Sequence, residues 1–493
     1  MGSAPPPPSS NPASHDSDIP SSIIIVGSGV FGLSTAYGLT QDAKYAHTSI
    51  TLIDRAPFPA PDASSIDNSR LIRADYAHPL YSALAQSAQA HWRTEPGLRD
   101  AYHESGIVLT SSAAATHPYL TASLENVRKL AAAAASPLPT PAAVQAASGL
   151  DAPAGSWGYL NRASGWADAE AAMRWLHARV LATGRVVFVT GTVACLVKRR
   201  LSSSSGNGAG SKTCPPAGRV VGVRLADGRD LRADTTVLAA GPWTPALVDL
   251  RGVARATGQV MAYVAPAGPG ADGADGADGA DDALARRRMP ATIDMGAGVF
   301  VVPPDARAQV KVARHGYGYL NWTRVRNPDL VGWEDGDDDD DDAAGTIRIS
   351  VPPTRPTPAA ALPPEARRTL RAFLARVLPG LAARPFASAR VCWYLDTPTN
   401  DFLVAPHPSL AGLFLATGGS GHAFKFLPVL GARVVRIMSG GEDEEDEKLR
   451  RLWAWPQERV DEGDDVKWSG DGSRGGRKGM VLAEEMAKER SKL

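Results

Sequence analysis

Residues 22–54 read SIIIVGSGVFGLSTAYGLTQDAKYAHTSITLID. The β-branched run at 23–26 predicts a buried strand. Gly27, Gly29 and Gly32 follow in G-x-G-x-x-G spacing, the apolar stretch 33–39 has helical length, and a second strand at 50–53 stops on Asp54. Each part has a task in holding a dinucleotide. Gly27 permits the tight turn, Gly29 lets the backbone approach a pyrophosphate, and Gly32 lets helix and strand pack closely. The diphosphate would rest on the unpaired N–H groups and positive end of the helix. Asp54, about 20 residues past the triplet, would accept from a ribose hydroxyl. A glycine triplet alone is weak evidence. Strand, triplet, helix, strand and terminal acid in this order predict a site for FAD or NAD.

Composition narrows the rest. The chain has 493 residues, enough for two domains. Lys plus Arg and Asp plus Glu each number 52, so no long-range field favours nucleic acid or an anionic membrane. Cys195, Cys214 and Cys392 form no CxxC, which argues against a disulfide scaffold or a zinc site. No apolar run reaches membrane-spanning length, and the N-terminus lacks the basic-then-apolar pattern of a secretory signal. Ser491, Lys492 and Leu493 form S-K-L, an address read by the peroxisomal import receptor. A peroxisomal monomer with no metal, membrane or nucleic-acid partner is expected.

The expected fold class is α/β plus α+β. Residues 21–80, 165–258 and 385–438 would form a discontinuous Rossmann-type nucleotide domain, and 81–164 with 259–384 a second, mostly antiparallel-sheet domain. Residues 1–20, rich in Pro and Ser, should be disordered, and 439–493 a polar, mobile tail. In the nucleotide domain Asp168 should N-cap a helix at 169–182. Residues 186–189 and 191–197 should pair as strands, and 220–224 and 230–233 should form a hairpin around Asp227-Gly228. TTVLAA at 235–240 reads as a buried parallel strand ending at Gly241-Pro242-Trp243, a second approach to the cofactor. A strand at 413–417, then GGSGH and a helix from near Pro428, supplies another helix end, which suits a flavin better than a lone nicotinamide nucleotide.

Elsewhere a helix is expected through 80–92, and the Ala-rich residues 120–147 should be helical with proline breaks. Residues 299–302 and 309–313 alternate like strands, and Leu370, Phe373, Leu374, Val377 and Leu378 mark one helix face. The Ser- and Gly-rich run after residue 201 reads as a flexible excursion. Three acidic stretches read as solvated loop insertions: the ADG repeat at 271–282 (insertion 268–285), the acid run at 337–342 (insertion 334–345) and residues 442–447. Their like charges repel, and the ADG spacing does not fit an EF-hand loop.

Taken together, IIIVGSGVFGLSTA, DNSRLIRADY, VLAAGPWT, VCWYLDTPTNDFLVAPHP and ATGGSGHAFKFLP resemble the FAD-dependent amino acid oxidases of the D-amino-acid-oxidase superfamily. The matching branch holds sarcosine, pipecolate, saccharopine and fructosyl-amino-acid oxidases, and the resemblance spans residues 22–438. It implies FAD, held by Gly27, Ser28, Gly29, Val30, Phe31, Gly32, Asp54, Arg55, Arg70, Val193, Gly241, Trp243, Cys392, Gly419, Gly421, His422, Phe424 and Lys425. It also implies a thioether from Cys392 to the flavin 8α-methyl, a bond suited to a soft thiolate nucleophile. Lys425, between two Phe, is expensive to bury unless it meets an anion. The resemblance gives it, with Arg73, the substrate carboxylate, and an Arg fork beside a Lys is a fitting anion clamp. Lys311 and His315 would sit on the flavin face, Lys311 offering positive charge where oxygen is reduced and His315 orienting the amine. Tyr394 would line the pocket. The rings of Trp166 and Trp243 should pack, and Cys195 and Cys214 should be structural.

The implied reaction is hydride transfer from the carbon beside a secondary amine to flavin N5. The imine then hydrolyses, and oxygen takes the electrons to give hydrogen peroxide, which accords with S-K-L. Sarcosine, pipecolate, saccharopine, a fructosyl amino acid and an N-methylated biosynthetic intermediate are all open as substrates, with Arg70 and Arg73 leaning toward the first three. The residues also leave open a flavin dehydrogenase, a non-catalytic flavoprotein scaffold and an NAD-dependent dehydrogenase.

Overall fold

A computed structural model describes residues 19–201, 218–265, 289–334, 345–354, 362–463 and 467–490. Residues 1–18, the Ser/Gly excursion with Cys214, the ADG repeat, the acid run at 337–342 and Ser491 to Leu493 lie outside the described residues.

The nucleotide half is a six-stranded sheet in the order Leu403–Pro406, Leu413–Thr417, Thr235–Leu238, Ser22–Val26, Ser49–Asp54, Val186–Thr190. All neighbours are parallel except the first pair. Its apolar runs are continuous because helices cover the sheet. The helix Val30–Gln41 packs on Leu427–Met438 so closely that a Cβ on Gly431 would overlap the Ser34 carbonyl. Ser22–Val26 lies mid-sheet, and the chain winds outward to both sides of it. The glycine turns after Val26, Leu238 and Thr417 therefore all emerge along one edge, where an open α/β sheet binds its ligand. The predicted strand pair after the helix Ala169–Ala182 does not form. Val186–Thr190 fills the parallel slot beside Ser49–Asp54, whereas Val193–Arg200 leaves for another sheet and pairs with Gly218–Leu225. The hairpin to Asp230–Arg232 is present.

The second half is built on a ten-stranded sheet whose central strand, Arg255–Val264, is flanked by Val310–Arg314 and Phe386–Asp396. Strand alternation sorts its side chains. Lys311, Ala313, Met261, Tyr263, Arg390, Cys392 and Tyr394 share one face by register. Val260, Ala262, Val310 and Val312 face the other way, onto the amphipathic helix Pro364–Val377 with its buried Leu370, Phe373, Leu374 and Val377. Between the helices His117–Leu130 and Pro141–Ser148 the Ala-rich stretch also contains a strand, Ala135–Leu138, at the sheet edge.

Two acidic or polar stretches depart from expectation. Residues 442–447 are not a solvated insertion. They open the helix Glu444–Leu452, where Asp443 caps the Asp446 N–H and the acids meet the positive helix end. Asp446 is wholly buried against Arg433 (2.7 Å). The polar tail is not loose either. Trp453 and Trp468 are buried, Met480–Val481 pairs parallel with Tyr319–Leu320, and Leu482–Arg490 follows as a helix. Gly475 fits only because it lacks a side chain: a Cβ there would strike the carbonyls of Met295 and Gly296.

Candidate active site

At the nucleotide end, Gly27 has φ +103° and sits against the Ala239 carbonyl, a place closed to any side chain. Asp54 accepts from the Ser28 N–H and Oγ, both at 2.7 Å, which ties the acid to the glycine turn. Val30 N–H donates to Ser65 Oγ (2.9 Å), and Phe31 lies against Gly419 of the C-terminal glycine turn. Val193 packs beneath with Val26 and Ile53. Arg55 stacks 4.9 Å from the centre of the Trp243 ring beyond Gly241, so that ring packs as expected.

Farther along, the short strand Arg70–Ile72 starts on Arg70, and Arg73 directly follows its end. They are not on a helix, and three residues of extended chain send them to opposite sides. Arg70 faces the second sheet. Its guanidinium pairs with Asp67, donates to the Ser64 carbonyl (2.7 Å) and lies 3.5 Å from Cys392 Sγ. Lys311 Nζ donates to the same Asp67 carboxylate (2.6 Å) and to the Ser69 carbonyl (2.7 Å), and Tyr263 Oη also donates to Asp67. Burial would raise the Asp67 carboxyl, but Arg70, Lys311 and Arg390 outweigh it and hold it well below the usual range. Burial, with Arg70 and Arg390, outweighs Asp67 at Lys311 and brings its ammonium down to about 8.

Arg73 faces a cavity of about 140 Å³ lined by Tyr76, Tyr119, His315, Asn400, Ser420, His422 and Asp471 among others. Arg73 is 4 % exposed and donates to the Asp75 carbonyl, and among the described residues no carboxylate forms an ion pair with it. Lys425, also 4 % exposed, is not in the lining but stands one hydrogen bond behind it. Its Nζ donates to Tyr76 Oη (2.8 Å) and the His422 carbonyl (2.7 Å), again with no ion pair to a carboxylate among the described residues. His422 Nε2 faces the Asn400 carbonyl (2.8 Å) and so carries the proton, leaving Nδ1 to accept from Tyr76 Oη (3.0 Å). Burial and Arg73 push the Lys425 ammonium well below its ordinary pKa. Burial and the cations Arg474, Arg73 and Lys425 do the same to His315, which therefore stays neutral. Tyr394 stands against Gly421, and burial with Cys392 nearby raises its phenol to about 12. Phe424 and the Lys425 carbonyl pack on Trp92, whose Nε1 donates to that carbonyl (2.7 Å).

The predicted residues thus fall into groups: Arg70, Lys311 and Cys392 gather around Asp67, whereas Arg73, His315 and His422 line the cavity with Lys425 behind them. Several residues the sequence reading passed over complete them. Asp67 and Tyr76 begin and end the quoted DNSRLIRADY, in which two acids, Asp67 and Asp75, flank the two arginines. Arg474 carried no signal. It is wholly buried, pairs with Asp396 (2.9 Å), and donates to the Ser420 (2.7 Å) and Gly316 (3.0 Å) carbonyls. It thereby straps the strand of Cys392, the glycine turn before Lys425 and the loop after His315 together.

Residues 22–437 match the family model described as DAO, FAD dependent oxidoreductase. The chain belongs to that family. Among its relatives, the amino acid oxidase imqH of Aspergillus flavus is 33 % identical, over 89 % of this chain and 98 % of that protein. L-saccharopine oxidase of Schizosaccharomyces pombe is 27 % identical over 90 % of this chain and 95 % of its own. In structure the FAD-dependent oxidoreductase is similar to the fructosamine oxidase Amadoriase II of Aspergillus fumigatus (TM-score 0.71, 25 % identity, 94 % of this chain and 96 % of that one). The residues present fit FAD. A Cβ on Gly29 would meet only Ser65 Oγ, at 3.4 Å, so the turn leaves room for a pyrophosphate, and the first turn of the following helix holds no acid to repel it.

Proposed function

We propose that this oxidoreductase oxidises a secondary, N-substituted amino acid, with oxygen as acceptor and hydrogen peroxide as product. One observation carries the reading: Arg73 lines the cavity and Lys425 stands directly behind it, both are buried, and among the described residues neither forms an ion pair with a carboxylate. An uncompensated buried charge is costly, and a substrate carboxylate would supply the missing counter-charge. FAD supplies the two-electron chemistry.

The chain's own groups do the rest. Arg73 takes the carboxylate in a fork, and Lys425 adds charge through or beside Tyr76. His315, held neutral, can accept from the substrate N–H and keep the amine unprotonated in a pocket already rich in positive charge. Tyr394, expected to line the pocket, is not in the cavity lining; it stands against Gly421 in the glycine turn. Lys311, on the sheet face that also carries Cys392, offers a cation where oxygen gains negative charge. The names of the relatives, an amino acid oxidase, a saccharopine oxidase and a fructosamine oxidase, support the same class. Covalent attachment through Cys392 belongs to the proposal and is supported by that thiol's burial 3.5 Å from Arg70. So does peroxisomal import through Ser491-Lys492-Leu493, which deletion of the tripeptide would abolish.

The test is anaerobic mixing of the yellow holoenzyme with sarcosine, pipecolate, saccharopine and fructosyl lysine, followed by air and a peroxide assay. Bleaching by at least one, with peroxide on reoxidation, is expected. Bleaching without peroxide would make the protein a dehydrogenase, and no bleaching by any would overturn the reading. Colour that stays with acid-precipitated wild type but leaves Cys392→Ala is expected for the thioether.

A further inference from the structure

The cavity is cationic where Arg73 stands and acceptor-rich elsewhere. Asn400, 4 % exposed, lines it with a carboxamide whose Nδ2 donates to Asp471 Oδ1 (2.7 Å) and, at 3.4 Å, to Ser473 Oγ. Those partners fix the amide's orientation, because a flipped group would set its oxygen against the Asp471 carboxylate. Asn400 Oδ1 is then buried with no hydrogen-bond partner among the described residues. An orphaned acceptor in a cavity wall points to a donor that arrives with a ligand. Its neighbour offers a second acceptor. Asp471 Oδ1 also takes the Ser473 N–H (3.0 Å) and Oγ (2.7 Å), which locks the carboxylate, while Oδ2 has no hydrogen bond among the described residues. Asp471 is exposed and so stands at the mouth, with Asp401 beside it in the lining.

We propose that Asn400 Oδ1 and the Asp471 carboxylate form an acceptor subsite for a hydrogen-bond-donating group, an ammonium or a hydroxyl, on the substrate's N-substituent or side chain. The inference rests on the carboxylate reading above, since it takes Arg73 to hold the carboxylate end in the same cavity. The C-terminal segment would then select substrates: a substituent ending in ammonium or hydroxyl is favoured, and one ending in a second carboxylate is turned away. Asn400 is suited to its place because its φ of +65° is a left-handed conformation Asn tolerates and its main-chain carbonyl already holds His422.

The experiment is calorimetric titration of the holoenzyme with acetate, hexanoate, 6-hydroxyhexanoate, 6-aminohexanoate and adipate, each affinity read relative to acetate. In the wild type the amino and hydroxy acids should exceed hexanoate by about tenfold or more, and adipate should fall below it. Asp471→Asn should shrink the ammonium advantage more than the hydroxyl one. Asp471→Lys should invert the order of 6-aminohexanoate and adipate. Equal affinities across the series in the wild type, or the same order in Asp471→Lys, would overturn the subsite. Acetate carries the carboxylate but no second donor or acid, so binding of acetate without any preference among the longer acids removes the subsite alone. Failure of acetate to bind removes the carboxylate reading and the subsite with it.

Discussion

Lys311 and Lys425 are buried to nearly the same depth, 1 % and 4 % exposed, and differ in what they face. Lys311 shares the Asp67 carboxylate with Arg70. Lys425 meets a phenol and a carbonyl, with Arg73 as a further cation; among the described residues no carboxylate forms an ion pair with it, and Asp75 acts on it only at longer range. Internal pairing makes the first cluster part of the fold. The second is left incomplete by the fold, and incompleteness of that kind marks where a charged ligand belongs.

The largest effect should come from removing the acid that separates the two cases. Asp67→Asn strands Lys311 and Arg70 as buried cations and should cost about 3–5 kcal/mol in denaturant unfolding, the range for breaking a buried pair. An unchanged midpoint would mean that water already compensates the site. Lys425→Met should behave oppositely in stability, with a midpoint equal to or above the wild type. Loss of a charge-assisted contact should weaken a bound carboxylate by about tenfold to a hundredfold. A strong loss of stability in Lys425→Met would erase the contrast.

The pH response should separate the lysines further. The unfolded chain keeps a lysine protonated to about pH 10.4, whereas Lys311 in the fold gives up its proton near 8. Between those values the unfolded state binds more protons, so this group's contribution to stability rises with pH while the charge offered to oxygen disappears. Stopped-flow reoxidation of the reduced enzyme should therefore slow above about pH 8, and Lys311→Met should be slow and flat. At the bottom of the scale, Arg451→Ala removes an exposed partner of Glu447 and should leave the melting temperature where it is.

Legibility followed sequence distance. The glycine turn, its helix and Asp54 were readable because strand, turn and cap chemistry operate within a few residues, and the Asp168 cap held for the same reason, accepting from Ala171 N–H. Arg70, Arg73 and Lys425 were readable as residue types in motif context. Their division into a paired and an unpaired cluster was not, since Lys311 meets Asp67 across 244 positions. The C-terminal segment misled most. Its Gly, Asp and Ser have the composition of a solvated tail, and only the tertiary fold turns Arg474 inward onto Asp396, 78 positions away. Residues 442–447 misled because a run of acids looks self-repelling until a helix N-terminus and Arg433 are beside it. Val193–Arg200 misled because adjacency in sequence suggested a partner that the parallel sheet had already claimed.

The central claim is that Arg73 and Lys425 await an anion. Its most direct test is titration of the holoenzyme with acetate and with acetamide, followed by flavin absorbance, in wild type and Lys425→Met. Saturable perturbation by acetate but not by its neutral isostere, with the preference lost in the variant, is the predicted result. Equal responses to acetate and acetamide, or an acetate response untouched by Lys425→Met, would contradict it.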